Sequence, residues 1–497
     1  MNEPRRDEDR RLLVLAAIVA LMACVPFAVA RIPPSTDLAQ HVAQMRLLRD
    51  AVGNHATPYA VQWFAPNGLA YAFVALGWLV ASPFVAGRVA LAAIVVTWIA
   101  ATAFLARERE RAAAGFVLAS LFVFGHVLYW GFLEFLVGWP CFAAYIALVA
   151  PRSRPMTRTR WGLAIVTAVL LYGAHVLWLG LAFVATILLT AADRESWRLG
   201  LRRVAPLVPM LAIAVIWSIR LRGDRASSGF DVAPHWFTAP WQRLVPDALV
   251  DAAFGGLRGP LEAVVFGLVM LYIVGGAFTA RRKGGLDRGL AAASACFVAI
   301  ALLAPDKYFN TIRFGARWMP VGIALAALAV PPPSWRPLVV RALATVLCAL
   351  FFAATTAAWV AFDEEEMNGF ERALASVPEG SRVVGLDFVR ESEIVTGQPF
   401  FQMFAYAQVV HGGELNFTFA EHGSSLVRYR ARRVTHFTGG LEWFPARFSS
   451  RDLSAFDVAI VNAPPRVHDQ LEQLPGMIPE AASGRWRLYR LAPAPRH

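Results

Sequence analysis

Apolar residues fill the first 362 positions in long blocks, separated by short polar or basic stretches. The first block, residues 12–30, follows the charged head MNEPRRDEDRR and is long enough to span a hydrocarbon core, which takes about 20 helical residues. No small-residue cleavage site follows it, so it reads as an uncleaved first helix with its N-terminus inside. Further apolar blocks lie at 68–82, 84–105, 113–130, 132–150, 161–190, 204–220, 261–280, 288–304, 314–330 and 338–361. Block 161–190 is too long for one ordinary span and predicts two short helices broken near Gly173 to His175. The spanning-length rule gives about ten to thirteen helices in all. Alternation from an inside N-terminus does not place every arginine cluster on one side, so at least one block must be re-entrant or miscounted.

Two stretches interrupt the pattern. Residues 31–67 form an external loop in which Leu38, Val42, Met45 and Leu48 recur at helical spacing, predicting an amphipathic helix on the membrane surface. Loop 222–260 carries Trp236 and Trp241, which fit an interfacial aromatic belt. After Phe362 the composition changes abruptly at DEEE, and residues 363–497 read as a separate water-exposed α/β domain following the 1–362 membrane domain. RVVGLDF (382–388), FDVAIVNAP (456–464) and RWRLYRL (485–491) predict strands, with helices near 369–377 and 466–474. No GxGxxG follows the first strand, which removes support for a dinucleotide site.

Composition sharpens this picture. The 497 residues are 57% hydrophobic and 16% charged, against roughly a quarter charged in soluble proteins, so the chain needs a lipid bilayer as its partner. The net charge of +12 does not indicate nucleic acid. Residues 1–362 hold 33 basic against 18 acidic residues, residues 363–497 hold 14 against 17, and the basic surplus sits in short loops between apolar blocks, the positive-inside signature. The four cysteines all lie within apolar blocks, where Cys acts as a small hydrophobe, and predict neither disulfide nor metal site.

Several polar residues stand where they need a reason. Asp37, Gln40, His41 and Gln44 can share one helix face, and a carboxylate beside a histidine at a membrane surface can act as a general base toward a hydroxyl or amine. Asp37 with Ser35 and Thr36 equally fits a helix N-cap. Glu134 lies between Phe132, Leu133, Phe135 and Leu136, where a bare charge in hydrocarbon costs a few kcal/mol, so it needs a substrate, a metal or a partner such as Arg88. His126 and His175 also lie in apolar blocks, where a core histidine satisfied by its neighbours is the commoner case. Lys307, Arg313 and Arg317 can clamp a phosphate or snorkel at a membrane edge, and Asp306 offers Lys307 a local partner. His411, Glu414, Glu421 and His422 match no compact zinc spacing.

The order of STDLAQH (35–41), YWGFLEFLVGWP (129–140), YGAH (172–175), NTIRFGARWMP (310–320), AYAQVVHGGELNFTF (405–419) and the late FDVAIV and WRLYR resembles the GT-C superfamily of polyprenyl-phosphate-dependent glycosyltransferases. That superfamily includes protein O-mannosyltransferases and lipid A aminoarabinose transferases, and the set is most similar to a group of bacterial GT-C-like membrane proteins. The resemblance implies an inner-membrane glycosyltransferase with a periplasmic C-terminal domain. It takes its sugar from a polyprenyl-phosphate-linked donor and passes it to a glycan, lipid or protein acceptor. The first-loop acid of the superfamily falls on Asp37 as the catalytic base, with His41 as a second polar group. Glu134, His175, Lys307, Arg313 and Arg317 fall to substrate binding. The paired acids common in that loop are reduced to one here, since Leu38 follows Asp37. No cofactor is required by this chemistry; a divalent metal is an option. A transporter or flippase, and a non-catalytic GT-C-like accessory protein, are the alternatives.

Overall fold

The computed structural model describes residues 3–53, 57–227, 232–309, 311–431 and 433–492; residues 228–231 of the 222–260 loop and Asn310 of the NTIRFGARWMP stretch lie outside them. The helices through the apolar region are α1 (Glu3–Val29), α2 (Leu38–Gly53), α3 (Leu69–Val80), α4 (Pro83–Glu108), α5 (Ala113–Ser120), α6 (His126–Tyr129), α7 (Leu133–Val149), α8 (Arg158–Ala174), α9 (Val176–Ala192), α10 (Trp197–Val204), α11 (Val208–Ser227), α12 (Pro246–Ala253), α13 (Leu261–Lys283), α14 (Arg288–Leu303), α15 (Met319–Ala329) and α16 (Pro337–Ala361). Three short ones follow, α17 (Phe370–Ala375), α18 (Tyr406–His411) and α19 (Pro465–Glu472). The strands are β1 (Tyr59–Val61), β2 (Lys307–Tyr308), β3 (Thr311–Ile312), β4 (Arg382–Asp387), β5 (Glu414–Leu415), β6 (Val427–Tyr429), β7 (Val458–Asn462), β8 (Met477–Ser483) and β9 (Trp486–Leu491). Among the described residues five helical stretches are long and apolar enough to cross a membrane, and six shorter apolar helices accompany them.

The chain divides into two compact units, one of residues 1–25, 93–128 and 134–355, the other of residues 26–92, 129–133 and 356–497. In the helical unit the arginine clusters meet at one end. Asp9, early in α1, accepts from Arg107 at the end of α4 (3.0 Å) and from Arg154 between α7 and α8 (3.2 Å). Glu108 pairs with Arg154 (2.8 Å) and Arg160 (2.9 Å). Arg109 donates to Asp193 after α9 (2.9 Å) and through two nitrogens to Asp287 before α14 (2.8 and 2.5 Å). Arg111 donates to the carbonyls of Gly285, Leu328 and Ala329 at 3.0, 2.7 and 3.0 Å.

These bonds fix which helix ends lie together. Read as passes, α1, α4, α5 with α6, α7, α8, α9, α10 with α11, α13, α14, α15 and α16 make eleven among the described residues, five of them long and apolar enough to cross a membrane by length and composition. Block 68–82 is not one of them. It is α3, 12 residues long, and it belongs to the other unit, whereas α15, of similar length, lies within the helical unit. Removing it brings every arginine cluster to the same end, which resolves the alternation problem of the sequence. The expected break in 161–190 falls at His175, whose extended backbone ends α8 and starts α9.

The second unit is built on a five-stranded sheet, ordered β5-β4-β7-β9-β8. β5, β4 and β7 run parallel, and β9 pairs antiparallel with β7 and β8. Val384, Leu386, Ala459, Val461, Leu453, Phe456 and Tyr489 form part of its core. Each fully buried Val, Leu or Phe among them contributes about 1.5–3 kcal/mol by removal from water. The same unit takes in α2, and here the surface-helix expectation fails. Leu38, Val42 and Met45 are buried, but so are Gln40, His41 and Gln44 on the other side. The amides can be buried because residues 402–427 supply their hydrogen bonds. Gln40 donates to Gln402 Oε1 (2.8 Å) and the Phe417 carbonyl (3.2 Å) and accepts the Phe419 N–H (3.2 Å), while Gln44 accepts the Val427 N–H (2.8 Å). β1 adds to β6 in the same region, with Tyr59 opposite Tyr429.

Candidate functional site

Asp37 is held by its backbone. Residues 35–37 dock on residues 129–131: Thr36 N–H donates to the Tyr129 carbonyl (2.9 Å) and Asp37 N–H to the Trp130 carbonyl (3.2 Å). The Thr36 hydroxyl also donates to Tyr129 (3.2 Å) and to the Gln398 carbonyl (3.1 Å). This approach needs Gly131, which has φ +74° and whose replacement Cβ would lie 2.8 Å from Asp37 N and 3.0 Å from Ser35 Oγ. Asp37 occupies the position before α2, and its carbonyl accepts the His41 N–H (3.1 Å). Asp37 is half-buried, whereas Ser35, Thr36, Leu38, Gln40 and His41 are buried around it. His41 Nδ1 lies 3.2 Å from the Tyr71 hydroxyl, and the Phe419 ring packs edge-on against the imidazole at 5.1 Å.

The remaining sequence candidates belong to the helical unit. Glu134 is in the first turn of α7 and half-buried. The next residue, Phe135, organises its surroundings: its ring meets Trp318 at 4.6 Å, Trp178 at 5.2 Å and His175 at 6.1 Å, and the Arg317 guanidinium lies 6.0 Å from its centroid. Trp178 donates its indole N–H to the Phe135 carbonyl (2.9 Å), and its ring lies against Gly138, where a Cβ would stand 1.9 Å from Trp178 Cδ1. His175 Nδ1 accepts the Leu177 N–H (3.2 Å), capping α9. Arg317 is buried and donates to the Ile312 carbonyl (2.9 Å).

Thus His175 and Arg317 meet around Phe135. Arg313, in the left-handed region at φ +50°, pairs instead with Asp251. Lys307 sits in the β2–β3 hairpin, where its backbone bridges to His235. Asp306 is engaged by the Phe237 and Thr238 N–H groups (2.7 and 2.9 Å) and by Arg243 (3.0 Å), and Arg88 donates to the Ala30 carbonyl (2.9 Å). His126 is fully buried. By the order of the passes, the starts of α7, α9 and α15 and the end of α14 all lie at the end of the helical unit opposite the arginine network. Phe135, Trp178, Trp318 and Asp251 escaped sequence reading because an aromatic or acidic residue in an apolar protein says nothing of its partner 40 to 180 positions away. Among the described residues no three His, Cys, Asp or Glu side chains group as metal ligands.

No protein-family model matches the chain, and no curated protein matches its sequence. Solved structures do. ArnT from Cupriavidus metallidurans, in its apo state and bound to undecaprenyl phosphate, superimposes with a TM-score of 0.56 over 98% of this chain and 99% of that one, at 11% identity. The arabinofuranosyltransferase AftD from Mycobacteria matches with a TM-score of 0.53 at 17% identity, over 97% of this chain and 40% of that one. At these identities the likeness is one of fold. With its apolar helices and C-terminal sheet, this chain has the overall fold of ArnT, the GT-C fold.

Proposed function

We propose that the protein is a membrane glycosyltransferase that moves a sugar from a polyprenyl-phosphate-linked donor to a glycan, lipid or protein acceptor. The observation that carries the reading is the full-length likeness to ArnT, a fold also solved with undecaprenyl phosphate bound. In this reading Asp37 is the general base. The acceptor oxygen bonds to the anomeric carbon, the bond from that carbon to the donor phosphate oxygen breaks, and the acceptor proton passes to the Asp37 carboxylate. Polyprenyl phosphate leaves, and a single displacement inverts the anomeric centre. Lys307, Arg313 and Arg317 stabilise the departing phosphate, with the guanidinium fork matching its oxygens. Glu134 and His175 bind substrate. His41, buried on Tyr71 and Phe419, holds the first turn of α2 and thereby Asp37.

The arginine end of the helical unit is then cytoplasmic, by the positive-inside rule, and eleven passes bring the chain out on the periplasmic face of a bacterial inner membrane before residue 363. The test compares surface and secreted glycans by mass spectrometry in the wild type, a deletion strain and Asp37→Asn. A sugar lost in both the deletion and the variant, with the variant present in the membrane, supports transfer through Asp37. Loss in the deletion alone turns the reading toward transport or an accessory role.

A further inference from the structure

The parallel strands β5, β4 and β7 follow a 2-1-3 order, so the chain leaves β4 toward one side and returns to pair on the other. In open α/β sheets the crevice at the carboxyl ends of such strands, where the order reverses, is the general place for a ligand. Three polar residues of this protein meet there. Asp387 ends β4 and pairs in register with Asn462, which ends β7, and Asn462 pairs in turn with Trp486, the residue after Arg485.

Their bonds leave a defined set of atoms over. Asp387 Oδ1 takes the N–H of Val389 (3.2 Å), the N–H of Arg390 (3.1 Å) and Asn462 Nδ2 (3.0 Å), while Oδ2 has no hydrogen-bond partner. Asn462 Oδ1 and Arg485 Nη2 likewise make no hydrogen bond, although Nη2 forms an ion pair with Glu366 Oε2 at 3.8 Å. Asp387 and Asn462 are 7% and 1% exposed, so these are buried groups that a native fold ordinarily satisfies. Arg485 itself is fixed. Its Nε donates to the Glu366 carbonyl (2.9 Å), its own carbonyl meets His468 Nε2 (3.0 Å), and its guanidinium stacks 4.4 Å from the Phe400 centroid.

We propose that this strand-end crevice binds a vicinal diol of a saccharide, with Asp387 and Asn462 accepting from its hydroxyls and Arg485 donating to them. Two acceptors beside one donor fit hydroxyl groups, which both give and take hydrogen bonds. The Arg485 cation disfavours a metal ion, and the Asp387 and Glu366 carboxylates disfavour a phosphate. Glu393, whose N–H donates to Glu366 Oε1 (2.8 Å), and Phe400, which stacks on Arg485, place the segment after β4 beside the same strand ends. The choice of a sugar over another polyol rests on the glycosyl-transfer reading; the crevice itself does not.

The experiment uses the full chain in lipid nanodiscs and saturation-transfer NMR with methyl α-D-mannopyranoside, which carries vicinal diols at C2–C3 and C3–C4, and its 3-deoxy counterpart, whose hydroxyls at C2, C4 and C6 leave none. The mannoside is expected to give signal with wild type and equally with Asp37→Asn, and the deoxy sugar little. The isosteric variants Asp387→Asn and Asn462→Asp are expected to weaken binding at least about tenfold, with no fall in melting temperature for Asp387→Asn, as loss of a matched hydrogen bond does. Absence of signal in the wild type, or full signal in both isosteric variants, overturns the crevice. Either result leaves the Asp37 glycan comparison standing on its own.

Discussion

At the residue scale, Gly131 and Asp387 make opposite demands on the same unit. Any side chain at 131 meets the backbone of Asp37 and also faces a left-handed φ of +74°. Gly131→Ala is therefore expected to cost about 1–3 kcal/mol and, on the glycosyl-transfer proposal, to lower activity more than a surface substitution of equal cost, because what moves is Asp37. Melting curves read beside initial rates check this. Asp387 has its carboxyl pushed up to about 6 by burial, against which the N–H groups of Arg390 and Val389 and the Asn462 amide act only in part. The folded protein thus holds this proton more tightly than the unfolded chain, and stability falls as pH rises from about 4 to about 6. The change amounts to about 3 kcal/mol. Asp387→Asn is expected to melt at the wild-type temperature near pH 4 and above it at pH 7. A wild-type slope retained across that window in the variant counts against the shifted carboxyl.

At the scale of elements, the helical unit is tied at one end by charge. Asp287 is fully buried, and its ionised form is held mainly by Arg109, which outweighs the cost of burial. Removing one partner of such a pair strands the other. Arg109→Met is expected to cost about 3–5 kcal/mol, and the double change Arg109→Met with Asp287→Leu to recover much of it. Thermal unfolding in nanodiscs of the two variants decides the matter: equal loss in both would mean that the packing of α4, α9 and α14, rather than the charge pair, was disturbed. α2 makes the complementary case. Gln40 and the Gln44 Oε1 bond backbone groups of residues 417–427 and Gln402, so the position of α2 is set by hydrogen bonds that no helical period reveals.

At the scale of the whole molecule, the passes make a claim about sidedness. In a background lacking Cys24, Cys141, Cys296 and Cys348, a membrane-impermeant maleimide applied to spheroplasts is expected to label Thr238→Cys and Gly439→Cys. Ser153→Cys, beside the arginine network, is expected to react only after lysis. Labelling of Ser153→Cys from outside would reverse the orientation. The likeness to ArnT extends over nearly all of both chains, yet identity is 11%, so what the two share is the arrangement of helices and sheet.

Much of that arrangement was legible in the amino acids. Hydropathy marks the apolar helices, because a bilayer favours apolar segments with internally satisfied backbone, and the break at His175 follows from the length of its block. The short apolar runs of β4 and β7 and the loss of basic surplus after Phe362 mark the sheet region in the same local way. The sequence also singles out Asp37, Glu134 and Arg317, since a polar group in apolar surroundings needs a reason. It does not say what that reason is. That block 68–82 fails to cross, that α2 is buried on both sides, that His175 and Arg317 meet on Phe135, and that Asp387, Asn462 and Arg485 share one strand end were decided by the tertiary structure. Each depends on a partner far along the chain, and periodicity and composition carry only the energetics of neighbours.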